Sequence, residues 1–172
     1  MGTGSGCLLL SVLSELKEAH GIGVDISPGA LQIATENARH HSLTDRAAFR
    51  LLDFTAPSVV EISPIFEHRF ELIISNPPYI ATHEKPELED TVIKYEPHLA
   101  LFAKNNGLSF YTALAKHVTD WIAQDGFLVI EIGKDQKEDV IPIFENQRFV
   151  YCTSHLDYGG IERCLVFQLK NP

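Results

Sequence analysis

The sequence predicts an α/β protein with a mostly parallel sheet. Short runs of apolar and β-branched residues alternate with segments of helical apolar spacing along the 172 residues. This alternation is typical of a parallel sheet covered by helices. The run Phe127–Ile132 is largely apolar, as expected of a strand that is buried on both faces. The length suits one domain, and we expect a single domain over residues 1–172.

The first third of the chain is predicted to form two helix and strand pairs. Apolar spacing predicts a helix over Cys7–Ala19, and Gly21–Ile26 is predicted as a strand. Ser27 and Pro28 then supply an N-cap and a proline for the first turn of a helix that extends to about His41. A second strand over Ala48–Leu52 completes this part.

The middle of the chain contains one strand and a long irregular segment. Leu72–Ser75 is apolar and is predicted as a strand. Residues 80–107 show little periodicity, although apolar side chains recur in them. Connections of this length are usually functional or disordered. The apolar content favours an ordered lid or substrate-binding loop.

The last third returns to regular spacing. A helix is predicted over Leu108–Ala123, followed by a turn at Asp125-Gly126, the strand Phe127–Ile132 and a helix over about Asp135–Asn146. The final runs, Phe149–His155 and Cys164–Leu169, flank an Asp-Tyr-Gly-Gly turn. They are predicted to form an antiparallel hairpin at the sheet edge.

Composition excludes several functional classes. No apolar run reaches the ~20 residues of a membrane helix, and the start shows no targeting peptide. The net charge of −9 disfavours nonspecific nucleic-acid binding, which requires clustered Lys and Arg. The three cysteines are scattered, which favours a reducing intracellular compartment. The histidines lack metal-ligand spacing, so no metal site is expected.

A glycine-rich segment precedes the first predicted helix. Alternating glycines let a backbone approach a ligand closely, and a helix N-terminus presents free N–H groups. Asp25, at the end of the next strand, is placed to accept both ribose hydroxyls of a nucleoside. A plain turn and a helix cap are the respective structural alternatives. The segment consists of Gly2, Thr3, Gly4, Ser5 and Gly6.

A second acidic residue follows the next predicted strand. Asp53 is placed to accept a hydrogen bond from an adenine amino group, and Phe54 to pack on the adenine ring. The alternative is an ordinary loop aspartate beside a core phenylalanine. Three successive strand ends carrying such residues are less expected by chance than any one of them.

The segment Asn76-Pro77-Pro78-Tyr79 follows the strand Leu72–Ser75. Open α/β sheets bind ligands at the carboxyl ends of their strands. The prolines fix their φ angles near about −65° and remove two N–H donors. A stiff backbone thus offers carbonyl acceptors and one amide side chain, which suits holding an NH2 group by its hydrogens. A rigid turn without chemistry is the alternative.

Together these residues resemble the class I S-adenosylmethionine-dependent methyltransferases that act on planar amino or amide nitrogens. Blocks in the second half resemble one group of these, the peptide chain release factor N5-glutamine methyltransferases. The resemblance covers essentially the whole chain in the family's order, and it implies a Rossmann-like sheet. The blocks are NPPYI, YEPHLALFA, NNGLSFY, GFLVIEIGKDQ and DYGGIERC.

The resemblance implies methyl transfer from S-adenosylmethionine to the glutamine side chain in the Gly-Gly-Gln loop of a release factor. The Asn76 side-chain oxygen and the Pro77 carbonyl would accept the two amide N–H groups, making these the catalytic pair. Pro78 and Tyr79 would pack against the glutamine, and the loop from Ile80 to Asn106 would contact the release factor. Cofactor contacts are expected from the glycine segment and from Asp25, Ile26, Asp53, Phe54 and Asn76.

The start of the chain departs from the family pattern. In the family, a central strand and a helical substrate-recognition domain precede the glycine loop, whereas here Met1 precedes it directly. We therefore expect an N-terminally truncated domain that lacks the first central strand of the sheet. A truncated, noncatalytic methyltransferase-like module is one alternative function. A nucleic-acid methyltransferase acting on adenine N6 or guanine N2 is another.

The resemblance also implies partners and a compartment. The expected partner is a release factor, with no membrane and no direct nucleic-acid contact, and a monomer is favoured. The expected compartment is a mitochondrial matrix or a bacterial cytoplasm.

Overall fold

The computed structural model describes residues 1–55, 69–87 and 101–170. The chain forms two compact units, Met1–Val59 and Val60–Pro172. That both units belong to one domain over residues 1–172 stays a prediction. Among the described residues, no helix combines the length and the apolar character needed to cross a membrane.

The first unit contains two helices and a two-stranded parallel sheet. The strands pair with Gly21 opposite Ala47 and Asp25 opposite Leu51. These four elements lie where the sequence predicts them, with ends that differ by a few residues. They are α1 (Cys7–Glu15), β1 (Gly21–Asp25), α2 (Pro28–His40) and β2 (Ala47–Leu51).

Local capping sets the start of α2. The Ser27 hydroxyl oxygen accepts a hydrogen bond from the Ala30 N–H at 3.2 Å, and Pro28 lies in the first turn, where a missing N–H costs nothing. The helices close over a small apolar core. It consists of Leu10, Leu13, Ala38 and Leu43.

The second unit is built on a four-stranded mixed sheet. Its strands, in spatial order, are β3 (Phe70–Ser75), β6 (Ile122–Glu131), β8 (Glu162–Leu169) and β7 (Phe149–Leu156). β3 and β6 are parallel, whereas β8 is antiparallel to both of its neighbours. The predicted hairpin of the last two strands at the sheet edge is therefore confirmed. The unit also contains β4 (Ile80–Ala81), β5 (Phe102–Ala103), α3 (Ser109–Trp121) and α4 (Lys137–Glu145).

The core of this unit lies between the sheet and helices α3 and α4. Each helix presents one buried apolar face, as its spacing predicts. The Phe144 ring contacts the rings of Phe167 and Phe149 at centroid distances of 5.1 and 6.1 Å. Strand β8 of this core pairs with β6, and β6 pairs with β3. The carboxyl end of β3 is therefore anchored in the sheet by its pairing with β6.

Residues 80–107 are only partly described. Ile80–Ala81 pairs in parallel with Phe102–Ala103, and a short 3₁₀ helix spans Thr82–Glu87. Residues 88–100, nearly half of the predicted lid or substrate-binding loop, lie outside the described residues.

Strand β6 begins earlier than the sequence predicts. Phe70 lies opposite Ile122 and Leu72 lies opposite Phe127, so the pairing skips several residues of β6. Asp125 there has a left-handed backbone with φ of +61°, which Asp tolerates better than most residues. The predicted turn at Asp125-Gly126 is instead a bulge within the strand.

In the described residues, the β1–β2 pair and the four-stranded sheet are separate sheets. This agrees with the expected class I methyltransferase sheet that lacks its first central strand. Strands β4 and β5 form a further two-stranded sheet. Pairing is parallel in three of the five strand pairs, as predicted for the sheet.

Candidate active site

The glycine segment is tied to the carboxyl end of β1. The Thr3 N–H donates to the Val24 carbonyl at 2.8 Å, and the Gly4 N–H donates to Asp25 Oδ2 at 2.8 Å. Gly2 and Gly4 have φ angles of +63° and +53°, and a Cβ at either would meet no heavy atom within 4 Å. One side of the segment is therefore open backbone that a ligand could approach closely.

Two other glycines are needed for packing. A Cβ on Gly23 would lie 2.6 Å from Thr3 Oγ1 and 2.8 Å from the Phe49 ring. Gly6 is buried with φ of +83°, and a Cβ there would lie 3.1 Å from the Ala34 Cβ. Gly6 therefore lets α1 begin against α2, while the open positions lie earlier in the segment. No sequence pattern predicts the packing role of Gly23.

Asp25 is half-buried at the junction of β1 and α2. Its Oδ2 accepts from Gly4, and its Oδ1 accepts from the Ser27 N–H at 3.0 Å. A carboxylate oxygen has room for two hydrogen bonds, so each oxygen keeps acceptor capacity. The next residue, Ile26, leaves 58% of its surface exposed. Asp25 is thus oriented by two backbone donors and can still accept two ligand hydroxyls.

Asp53 and Phe54 follow β2 in the same unit. Asp53 Oδ1 accepts from the Thr55 N–H at 2.9 Å and from the Thr55 hydroxyl at 2.5 Å, which fixes the carboxylate. Phe54 is only 6% exposed. Its burial agrees with the alternative interpretation of Phe54 as a core residue. Contact between Phe54 and an adenine ring stays a prediction.

Asn76-Pro77-Pro78-Tyr79 occupies the carboxyl end of β3, as predicted. Asn76 is exposed, Pro77 is buried, and Pro78 and Tyr79 are half-buried. Within the described ranges, the Asn76 side chain makes no hydrogen bond to another residue. Its amide is thus available to a ligand, while the segment that carries it is packed against the protein.

Two neighbouring side chains contact the Tyr79 side chain, one at its hydroxyl and one over its ring. Its hydroxyl donates to Glu131 Oε1 at 3.2 Å, and the guanidinium carbon of Arg163 lies 5.9 Å from the ring centroid. Burial raises the pKa of Tyr79, the Glu131 carboxylate raises it further, and Arg163 opposes them. The hydroxyl therefore stays protonated near neutral pH and acts as a donor, not as a base.

The Tyr79 backbone is held by a glutamine from the start of α4. Gln136 Nε2 donates to the Tyr79 carbonyl at 3.0 Å and to the Asn106 carbonyl at 3.4 Å. Gln136 Oε1 accepts from the Gly133 N–H at 2.9 Å and lies 3.2 Å from the Tyr111 hydroxyl. Burial raises the pKa of Tyr111, so this phenol also remains a donor.

Gly107 allows this backbone contact. It has φ of +84°, and a Cβ there would overlap the Tyr79 carbonyl oxygen and the Gln136 amide nitrogen. A side chain at this position would push the two groups apart. Gly107 is therefore required by a close approach as well as by its backbone conformation.

The β7–β8 turn supports Arg163. Asp157 Oδ1 accepts from the N–H groups of Gly159 and Ile161 at 2.8 and 3.0 Å, and its Oδ2 lies 3.3 Å from Arg163 Nε. These hydrogen bonds, that to Ile161 first, hold the pKa of Asp157 below its ordinary value. The turn thus positions the cation that faces the Tyr79 ring.

The sequence identified the segment at residues 76–79 but missed its supports. These supports lie in three of the blocks that resemble the family, and the sequence assigns no role to any single residue in them. The blocks are GFLVIEIGKDQ, NNGLSFY and DYGGIERC. The structure shows that all three blocks supply groups that contact Tyr79. The supporting residues are Gly107, Glu131, Gln136 and Arg163.

The predicted site residues divide between the two units. The glycine segment, Asp25, Ile26, Asp53 and Phe54 belong to the first, and residues 76–79 belong to the second. Cofactor contact by Asn76 stays a prediction. In the part of the chain that the structure describes, no group of three or more His, Cys, Asp or Glu side chains could hold a metal ion.

Comparison with known proteins agrees with these features. The family described as "Methyltransferase domain" matches residues 1–147. The release factor glutamine methyltransferase of Cereibacter sphaeroides is 41% identical over 169 residues, 98% of this chain and 58% of that protein. That of Rhodospirillum rubrum is 39% identical over 166 residues, 96% of this chain and 49% of that protein. The resemblance noted from the sequence is confirmed.

A bifunctional methyltransferase of Rickettsia bellii is 36% identical over 169 residues, which are 98% of this chain and 29% of that protein. The chain thus spans from 29% to 58% of the length of these three relatives.

Solved structures confirm the fold. A ribosomal protein L11 methylase from Lactobacillus delbrueckii subsp. bulgaricus superposes with a TM-score of 0.68 at 17% identity, covering 99% of this chain and 68% of that one. A methyltransferase from Pyrococcus furiosus gives a TM-score of 0.68 at 13% identity, covering 97% of this chain and 71% of that one. At such low identities the likeness shows the fold alone.

Proposed function

Because the chain belongs to the methyltransferase domain family, we propose that it methylates the glutamine side chain in the Gly-Gly-Gln loop of a peptide chain release factor. S-adenosylmethionine is the proposed methyl donor. The observation that carries the proposal is the exposed Asn76 amide on a segment fixed at both ends. Similarity to release factor glutamine methyltransferases over nearly the whole chain supports the choice of substrate.

An amide nitrogen is a poor nucleophile because its lone pair is delocalised into the carbonyl. Asn76 Oδ1 and the Pro77 carbonyl would accept the two N–H groups of the substrate and aim the nitrogen at the methyl carbon. Well-oriented reactants can gain up to about 7–11 kcal/mol in model reactions. The same two oxygens would stabilise the positive charge that develops on nitrogen.

The residues of the first unit fit a nucleoside-containing cofactor. The open backbone at Gly2 and Gly4 would admit its amino acid part, and Asp25 would accept the two ribose hydroxyls. Asp53 would receive the adenine amino group beside Phe54, and the exposed Ile26 side chain would cover an apolar face. When bound, S-adenosylmethionine supplies an electrophilic methyl group on a sulfonium.

The proposed reaction would balance without a redox partner. The glutamine nitrogen would bond to the methyl carbon as the carbon–sulfur bond of the donor breaks, with the electron pair left on sulfur. The nitrogen would then carry a positive charge and be acidic, so it would release a proton to water. No strong protein base is needed, which agrees with Tyr79 remaining protonated.

Mass spectrometry of a release factor tests the proposal. The chain is incubated with S-adenosylmethionine and a purified release factor, and the peptide that contains Gly-Gly-Gln is fragmented to locate the methyl group. We expect one methyl group on the glutamine side-chain nitrogen. Parallel reactions contain total RNA or DNA, and methylation of those substrates but not of the release factor would contradict the proposal.

The variant Asn76→Ala tests the assigned acceptor. We expect methyl transfer to fall by roughly 10²–10³-fold, as when one preorganised hydrogen-bonding group is removed from an active site. Cofactor affinity measured by calorimetry should be largely unchanged. Asn146→Ala is the matched control, because Asn146 is an exposed residue at the end of α4 and should leave the rate unchanged. Wild-type turnover in Asn76→Ala would contradict the mechanism.

A further inference from the structure

We propose that Gln136 is a positioning residue for methyl transfer, which holds the Tyr79 carbonyl and thereby orients the two substrate-binding oxygens at Asn76 and Pro77. This inference rests on the proposed function. It is carried by the hydrogen bonds of the Gln136 amide, by the anchoring of β3, and by the close approach at Gly107.

Three backbone groups fix the orientation of the Gln136 amide. A primary amide has two N–H donors and an oxygen with two lone pairs; here the nitrogen donates to the carbonyls of Tyr79 and Asn106, and the oxygen accepts from the Gly133 N–H. The Tyr111 hydroxyl, with its single hydrogen, lies 3.2 Å from both the Gln136 oxygen and the Glu131 carbonyl oxygen. The carbonyls of Tyr79 and Asn106 can only accept, and the Gly133 N–H can only donate. Rotating the amide by half a turn would therefore place oxygen against oxygen. The network permits one orientation of the amide.

The segment from Asn76 to Tyr79 behaves as a short bridge between two anchors. At one end, Ser75 pairs with Ile130 in the sheet. At the other end, Gln136 holds the Tyr79 carbonyl. In the described part of the chain, no hydrogen bond to Asn76, Pro77 or Pro78 fixes the bridge between these ends.

The two prolines make the bridge sensitive to its anchors. Their rings remove the freedom of φ at both positions, so few soft dihedrals remain between Ser75 and Tyr79. Any shift of the Tyr79 carbonyl that the φ and ψ of Tyr79 do not absorb is then passed back through ψ rotations that turn the Pro77 carbonyl and the Asn76 side chain. Displacing reacting groups by about 1 Å can cost on the order of 10²-fold in rate.

The Gln136 side chain reaches the substrate only through Tyr79 in this scheme. Its loss should therefore lower kcat, because the aim of the nitrogen is spoiled. Cofactor affinity should be largely unaffected, since all the groups assigned to the cofactor except Asn76 lie in the first unit. If Gln136 had a purely structural role, its loss would change protein stability without lowering kcat separately from cofactor affinity.

Gln136→Glu keeps the shape and replaces the donor nitrogen by an oxygen that repels the two carbonyls. Gln124→Glu makes the same change at an exposed position of β6 and serves as the control. We expect Gln136→Glu to lower kcat for release factor methylation by roughly 10- to 100-fold, with cofactor affinity unchanged. The control should match the wild-type chain.

Gln136→Met is the second variant, because it removes the hydrogen bonds without adding charge and covers the case in which Gln136→Glu fails to fold. Each rate is measured well below the thermal midpoint of its variant. Wild-type kcat in a folded Gln136 variant would overturn the inference and leave the proposed function standing. A loss of cofactor affinity equal to the loss of rate would also overturn it. Failure of the wild-type chain to methylate a release factor would overturn both.

Discussion

Replacing Gly107 by alanine should destabilise the second unit by more than the backbone cost of a positive φ angle alone. Gly107 has φ of +84°, and its Cβ would lie 3.0 Å from the Tyr79 carbonyl carbon and overlap the carbonyl oxygen. The left-handed backbone costs an alanine about 1–2 kcal/mol. Relieving the overlap requires the Tyr79 carbonyl and the Gln136 amide to move apart. Such overpacking typically costs about 1–3 kcal/mol.

The two costs together predict a loss of roughly 2–5 kcal/mol in the free energy of unfolding. For a urea dependence of about 1–3 kcal/mol/M, the midpoint of unfolding should fall by roughly 0.7–5 M, or about 2 M for the central values. Fluorescence of Trp121 is the measurement, because it is the one tryptophan of the chain and is buried in α3. Its signal therefore reports on the second unit.

Gly160→Ala separates the two costs. Gly160 has a similar φ of +78°, but a Cβ there would meet no atom within 4 Å. It should lose only the backbone contribution of about 1–2 kcal/mol. If Gly107→Ala were no more destabilising than Gly160→Ala, the close approach of Gly107 to Tyr79 would be refuted. The support that we assign to Gln136 would then lose one of its three observations.

Two further predictions concern charged groups. Asp25→Ala should weaken binding of S-adenosylmethionine by roughly 10- to 100-fold in calorimetry, since hydrogen bonds to charged groups are worth about 1.5–3 kcal/mol. An unchanged affinity would count against the assignment of Asp25 to the ribose. Asp157→Asn should change how stability depends on pH in the acid range. Because the pKa of Asp157 is lowered in the folded protein, its carboxylate stabilises the fold above the ordinary pKa of 3.8. This stabilisation is lost as the pH falls through the folded-state pKa. Urea midpoints across this acid range should therefore fall less steeply in Asp157→Asn than in the wild-type chain, and superimposable profiles would show that the carboxylate contributes nothing.

Elements whose signals are local were predicted well. The start of α2 follows from Ser27 and Pro28, because a cap and a proline act within one turn of the chain. The position of residues 76–79 after β3 follows equally from an apolar run and two prolines. The predicted start of β6 was wrong, because Asp125-Gly126 is a common turn pair. In the structure, pairing with β3 resumes on the other side of it and turns it into a bulge.

The supports of Tyr79 could not be predicted from the sequence in the same way. Gln136 and Glu131 contact a residue more than fifty positions away, and nothing in their immediate neighbours signals that contact. Gly107 is equally unremarkable in its own loop, since its lack of a side chain matters only to Tyr79 and Gln136. Such residues become visible when the sheet and α4 bring distant segments together.

The two kinds of contact assigned to the reaction are internal to different units. Asp25 is oriented by Gly4 and Ser27, whereas Tyr79 is oriented by Gln136 and its neighbours. Among the described residues, these two sets share no hydrogen-bond partner, and sites without shared partners usually give additive effects. Cofactor affinity and the aim of the substrate nitrogen should therefore be separable by mutation. That separation is what distinguishes a segment positioned for catalysis from one that merely completes the fold.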